Sequence, residues 1–239
     1  MRKLTILTVL CAFAIINTIN AQDMKFGVKG SFLTSTISTS NDGFSKLKPG
    51  YDVGAYFQYN VMDMLGVSIE PVFAIKGAND IDPLYIYDQY SPKLWDPVAG
   101  ESIKYEQHDL ALSVIEVPIL AQFNFEFGGA TMRVFAGPSF DFITSANHIS
   151  YRESASAGDD FVNDIKAESD VTERFVYANY TAVVGVGFDI EMDPVDLRID
   201  LKYQHGFSNI NNVENKPAIY TRGFGISVGI GLDKLILNN

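Results

Sequence analysis

Residues 195–203 read VDLRIDLKY, in which Val195, Leu197, Ile199, Leu201 and Tyr203 alternate with Asp196, Arg198, Asp200 and Lys202. A repeat of two is the side-chain period of a β-strand, so one face of this segment is apolar and the other charged. Which face is buried, and what the other one meets, decides the fold.

The alternation recurs along the chain. It is found near 24–36, 50–60, 65–77, 110–125, 131–144, 176–190, 195–207 and 219–232. Each segment reaches the ~9–11 residues of a tilted membrane-crossing strand. No stretch carries a sustained helical stripe, and after Gln22 no apolar run approaches the ~18 residues of a membrane-spanning helix. The connections alternate too. Those at 61–64, 128–130 and 191–194 are short, whereas those at 37–49, 78–109, 145–175 and 208–218 are long. Consecutive antiparallel strands therefore build one trim end, which also holds both termini, and one elaborate end. Outer-membrane barrels have that polarity.

Glycine chooses between the two faces. Gly27, Gly54, Gly66, Gly137, Gly185, Gly187, Gly206, Gly223, Gly225, Gly229 and Gly231 share the polar parity of their strands, and Gly30 falls on the apolar one. An eight-stranded barrel has a lumen just wide enough for side chains, and glycine is kept in strands where neighbours crowd. The polar face is then the interior. Outward Leu, Ile, Val and Phe on every strand suit lipid and not water. Outward aromatics near strand ends, such as Tyr51, Tyr59, Phe123, Phe125, Phe140, Phe142, Tyr180, Phe188, Tyr203, Tyr220 and Phe224, suit the two interfacial girdles. A soluble barrel of the lipocalin kind would place the same faces the other way round.

The expected fold is all-β: an eight-stranded antiparallel up-and-down transmembrane β-barrel, solvated by outer-membrane lipid in a Gram-negative bacterium. Charges in so narrow a lumen must pair. Glu70, Lys76, Glu116, Arg133, Asp141, Asp196, Arg198, Asp200 and Lys202 share the inner parity. They are expected to form a cross-linked plug with a structural role, the alternative being a proton or ion path.

The first residues, MRKLTILTVLCAFAIINTINAQ, have a basic start at Arg2 and Lys3, an apolar stretch from Leu4 to Ile16 and a cleavage-type ending at Ala21. That is the grammar of a secretory signal peptide. Residues 1–21 are read as the signal and 22–239 as the outer-membrane β-barrel domain, in which no cysteine remains because Cys11 lies in the leader. Losing Arg2 and Lys3 leaves 16 basic side chains against 29 acidic, a net charge of −13. A nucleic-acid partner would need a basic footprint, and none is present.

With the strands placed, the chain resembles the eight-stranded outer-membrane β-barrel family of Bacteroidetes, the group that includes PorT-like proteins. FGVKGSF (26–32) is similar to the opening strand of that family, and SIEPVFAIKG (68–77) to its third strand. VIEVPILAQFNF (114–125) resembles its fourth strand, with Glu116 and Pro118 in matching places. VFAGPSFDF (134–142), VVGVGFDI (183–190) and KYQHGFSNI (202–210) resemble the fifth, sixth and seventh. The chain departs from such barrels in lacking a terminal aromatic, since it ends GIGLDKLILNN. The resemblance implies no shared catalytic residues, and a few members are implicated in secretion through the type IX pathway.

Chemistry outside the strands is sparse. His108, His148 and His205 are far apart in sequence and lack metal-ligand spacing, so each reads as a solvated histidine. His108 beside Asp109, or His148 near Ser145, would have to converge with a nucleophile at the rim to make an enzyme. Asp159, Asp160 and Asp164 lie in an acidic loop without the spacing of a calcium-binding hand and read as solvated. No metal and no cofactor is expected. Tyr85, Tyr87, Tyr90 and Trp95 would either present contact area to a protein or glycan partner or fold the loop onto the rim. The reading that results is a non-enzymatic surface or structural protein whose long loops meet a partner, with an accessory role in secretion. A small porin-like solute or ion channel is the alternative, and an outer-membrane enzyme a third.

Overall fold

The computed structural model describes residues 24–40, 45–87, 101–156 and 162–237, with the side chains of 101–105, 152–165 and 236–237 outside the description. The expected leader and its cleavage site lie outside these residues. The strands are β1 (Met24–Thr39), β2 (Lys48–Met62), β3 (Leu65–Ile69), β4 (Val72–Ala78), β5 (Glu101–Phe127), β6 (Ala130–Ser156), β7 (Val162–Asp170), β8 (Ala178–Ile190), β9 (Asp196–Gly206) and β10 (Ile219–Gly231), followed by the short helix α1 (Asp233–Leu237).

Every neighbouring pair is antiparallel, and β1 pairs with both β2 and β10, so the sheet closes. β3 and β4 together make one wall strand. They part at Glu70 and Pro71, where proline has no N–H to give to the ladder. The register is nevertheless kept, with Ile69 opposite Phe57 and Val72 opposite Gly54. Counting β3 and β4 as one and leaving out β7, the ring has eight strands. The tight turn between β5 and β6 is made by Gly128 and Gly129, with φ of 58° and 89°. A two-residue hairpin turn needs positive φ at both positions, and its twist then matches that of the strands.

The faces fall as the alternation requires. Ile199 and Leu201 are 38% and 53% exposed, while Arg198, Asp200 and Lys202 between and beside them are 2%, 2% and 6% exposed. Large apolar side chains cover the outside on other strands as well, among them Phe32, Val53, Phe57, Phe123, Val184 and Ile226. None of the expected girdle aromatics is buried. Among the described residues no helix is long and apolar enough to cross a membrane; the wall crosses with strands.

Three features depart from the sequence reading. The connections at 78–109 and 145–175 are not wholly loops, because β5 begins at Glu101, β6 runs to Ser156, and β7 pairs with the far end of β6. A three-stranded sheet thus continues beyond the wall at the elaborate end. Near that end, Thr144 is left without a partner as Ser113 faces Ser145 and Val114 faces Ile143. This bulge resets the parity and turns both Ile143 and Ala146 inward. Finally, the chain leaves β10 at Gly231 and forms α1, where the alternation continued to 232.

The expectation of a uniformly polar interior also fails at the outer end. Ile37, Leu112, Val114, Ile143 and Ile219 point inward there. They join Ile81, Ile86, Val171, Phe175 and Ile210 from the connecting segments in one buried apolar cluster.

Candidate functional site: a filled lumen and a capped mouth

The lumen is packed by charged side chains from every wall strand except β10, which supplies a serine. Arg198 on β9 donates from Nε to Asp189 Oδ1 at 3.0 Å and from Nη2 to Asp189 Oδ2 at 3.1 Å, and it reaches across to Gln58 on β2. Arg133 on β6 donates to the same Asp189 at 2.9 Å and to Gln122 at 3.1 Å, and it pairs with Asp200. Lys29 on β1 bridges Glu70 at 2.6 Å and lies 3.8 Å from Asp200, which also accepts from Ser227 of β10. Lys202 crosses from β9 to Asp52 on β2 at 2.6 Å. Nearer the outer end, Lys76 on β4 meets Glu116 at 2.6 Å and Asp141 at 3.3 Å, while Gln204 donates to Glu116 at 2.7 Å.

Two inward aromatics share this space. The Tyr56 ring lies 3.9 Å from the Arg198 guanidinium carbon, and the Phe135 ring 5.7 Å from that of Arg133. Each ring sits opposite a glycine on the next strand, Gly27 for Tyr56 and Gly185 for Phe135. A Cβ on Gly27 would come within 2.7 Å of the Tyr56 ring, and one on Gly185 would collide with Phe135. The glycines on the inner parity thus make room for rings as well as for charges.

Of the nine residues singled out in the sequence, the structure brings eight together in the lumen. Asp196 stands apart, at the trim end, where it pairs with Lys234 of α1 at 2.7 Å. The network also contains Lys29, Asp52, Asp189, Gln58, Gln122 and Gln204, which the sequence reading did not name. Their signal was available, because each lies on the same parity as the interior glycines of its strand or as the charges already named.

At the outer mouth the histidines are not solvated. His108 and His148 are 7% and 5% exposed. Their rings stack with centroids 5.2 Å apart, and His108 Nδ1 lies 3.2 Å from His148 Nε2. Tyr87 Oη is 3.1 Å from His148 Nδ1, and Glu106 Oε1 is 3.2 Å from His108 Nε2, which makes a polar chain running from the cap to the exterior. Their meeting is not legible in the sequence because 40 residues separate them and only the pairing of β5 with β6, with Ser150 opposite His108 and Leu110 opposite His148, makes them diagonal neighbours. Burial pushes the His148 imidazole down to about 4, with the neighbouring His108 acting in the same direction and Asp109 opposing. Burial likewise pushes the Tyr87 phenol up, against the Arg174 guanidinium that lies 4.9 Å from its ring. Tyr85 and Tyr87 pack on the apolar cluster, so this part of the loop folds onto the rim. His205 is half-buried on the outer wall, with its Nδ1 3.0 Å from Tyr203 Oη. Tyr90, Trp95, Asp159 and Asp160 lie outside the described residues, as does the side chain of Asp164. Among the described residues no group of three or more His, Cys, Asp or Glu is arranged to hold a metal.

A closed, lipid-facing ring with trim turns at one end and a filled lumen defines an outer-membrane β-barrel. Residues 20–212 match the family described as outer membrane protein beta-barrel domain, and the chain belongs to that family. Its place is the outer membrane of a Gram-negative bacterium. Similar solved structures include Ail, the attachment invasion locus protein of Yersinia pestis, at 10% identity over 87% of this chain and 99% of that one, with a TM-score of 0.40. Neisserial surface protein A is 12% identical over 86% of this chain and 96% of that one, with a TM-score of 0.43. OprG from Pseudomonas aeruginosa is 11% identical over 87% and 94%, with a TM-score of 0.40. No curated protein matches the chain.

Proposed function

We propose that this is a non-enzymatic barrel of the PorT-like kind found in Bacteroidetes. In this reading the lumen is structural, and the sheet beyond the outer mouth meets a protein or glycan partner, in an accessory role in secretion. The observation that carries it is double closure. A water-filled path would have to pass the interlocked ion pairs of the lumen and then the apolar cluster at the mouth. Meanwhile β5 and β6 run on beyond the wall, and β7 lies against β6 with no further strand beside it among the described residues. An edge strand held above a membrane is a ready template for strand addition by a partner.

The test has two parts. Planar bilayers holding the folded protein stay silent in this reading. Discrete conductance that changes in Arg198→Ala would replace it with the porin-like channel. Removing β7 (Val162–Asp170) abolishes partner capture at the cell surface while the barrel still migrates as a folded species. Undiminished capture would move the contact elsewhere.

A further inference from the structure

The outward wall of β9, β10 and β1 is layered. In register across the three strands lie Leu197, Ile230 and Val28, then Ile199, Val228 and Gly30, then Leu201, Ile226 and Phe32. Above these comes an aromatic row of Tyr203, Phe224 and Thr34, with the two rings 4.8 Å apart. The next row is His205, Arg222 and Thr36. Three apolar rows, one aromatic row and one polar row describe the passage from acyl chains to headgroups. Since these rows lie next to the long connections, they mark the outer leaflet.

Arg222 is the one basic side chain on the outward positions of the eight wall strands among the described side chains. Beside it lies a groove of about 250 Å³ lined by Thr36, Leu47, Tyr203, Arg222, Gly223 and Phe224. Apolar side chains flank it, with Leu47 59% and Phe224 58% exposed. Lys46, next to Leu47 in the chain, is engaged by Asp80 at 2.8 Å.

We propose that this groove binds a phosphorylated glycolipid of the outer leaflet. Its acyl chain lies against Leu47, Phe224 and Tyr203, and its phosphate is held by Arg222 with His205 alongside. A guanidinium offers paired donors that match a phosphate. At the boundary of the hydrocarbon layer it does so where water competes less than at an open surface. A generic interfacial arginine would extend toward water and discriminate among no lipids. Selectivity for the phosphate is therefore what sets this site apart.

The experiment uses the full chain folded in detergent micelles, and native mass spectrometry counts bound lipid. The probes are bisphosphorylated lipid A, its dephosphorylated form and inorganic phosphate. Wild type is expected to bind the phosphorylated lipid about tenfold or more tightly than the dephosphorylated one, as charge-assisted contacts to one phosphate would give. Arg222→Gln is expected to lose that preference and Arg222→Lys to keep part of it. Inorganic phosphate is expected to leave the bound lipid in place. Equal binding of the two lipids by wild type overturns the site, as does an undiminished preference in Arg222→Gln. Displacement of lipid A by inorganic phosphate overturns the acyl half of the site. Should Arg222→Gln fail to fold, the wild-type comparison and Arg222→Lys still decide.

Discussion

Lys202 shows what a single side chain does in this lumen. Its ammonium ties β9 to β2, strands separated around the ring by β10 and β1, through a 2.6 Å contact with the Asp52 carboxylate. Both partners are buried, and Asp52 also accepts from Ser31 at 2.6 Å. Truncating one member of such a pair leaves a charge without its counterion in a low-dielectric space, at a cost of roughly 3–5 kcal/mol. Lys202→Met is expected to lower unfolding stability by about that much in urea titrations of vesicle-embedded protein. The double variant with Asp52→Asn should recover most of the loss. A double variant no better than the single one would mean that the bridge is not the interaction being measured. The inner glycines give a steric counterpart. Gly185→Val drives a side chain into the Phe135 ring and should block assembly, read as loss of the heat-modifiable folded band on a gel. Adding Phe135→Ala should fail to restore folded protein, because the new Cβ would also lie 2.4 Å from the Leu201 backbone carbonyl oxygen, which cannot move aside.

The element that the sequence reading missed is the outer extension of β5 and β6. Past the bulge at Thr144 these strands leave the lipid-facing wall, and their inner side now meets the cap instead of the ion pairs. The cap contains a proton-sensitive group. His148 is packed against Tyr87 from the rim loop and His108 from β5, with Asp109 also acting on it, Glu106 beyond His108 and Arg174 over Tyr87. Its pKa falls from 6.5 to about 4 on folding, so the unfolded cap takes up a proton first as the pH drops. The contribution of neutral His148 to cap stability is complete above 6.5, declines from there towards about 4, and is gone below. Hydrogen exchange in 81–87 and 106–110, corrected for intrinsic rates, should show protection falling across that window in wild type and a flatter profile in His148→Gln. Protection that rises as the pH falls would contradict the assignment.

At the scale of the molecule, the proposed structural role makes the buried ion pairs a core. Burial should shield them from bulk electrolyte, so raising salt from about 0.1 M to about 1 M should barely move the unfolding midpoint. A midpoint that drops steeply with salt would mean that water and ions enter the lumen.

A strand's period of two is local, and one closed ring assigns all strands at once. The alternation of VDLRIDLKY and its counterparts, together with interior glycines such as Gly187 and Gly229, was therefore enough to determine an eight-stranded wall with charges inward. What no local pattern contains is the stagger at which the ring closes. That alone decides that Lys202 meets Asp52 and not Glu70, and that Asp196 falls below the network and pairs with α1. The apolar cap was hidden for the same reason. Ile37 from the end of β1 and Ile86, Phe175 and Ile210 from three separate connections become neighbours only after closure brings the outer ends together. Burying them there is worth more than leaving each to water, so the tertiary structure, and not any segment of sequence, sealed the mouth.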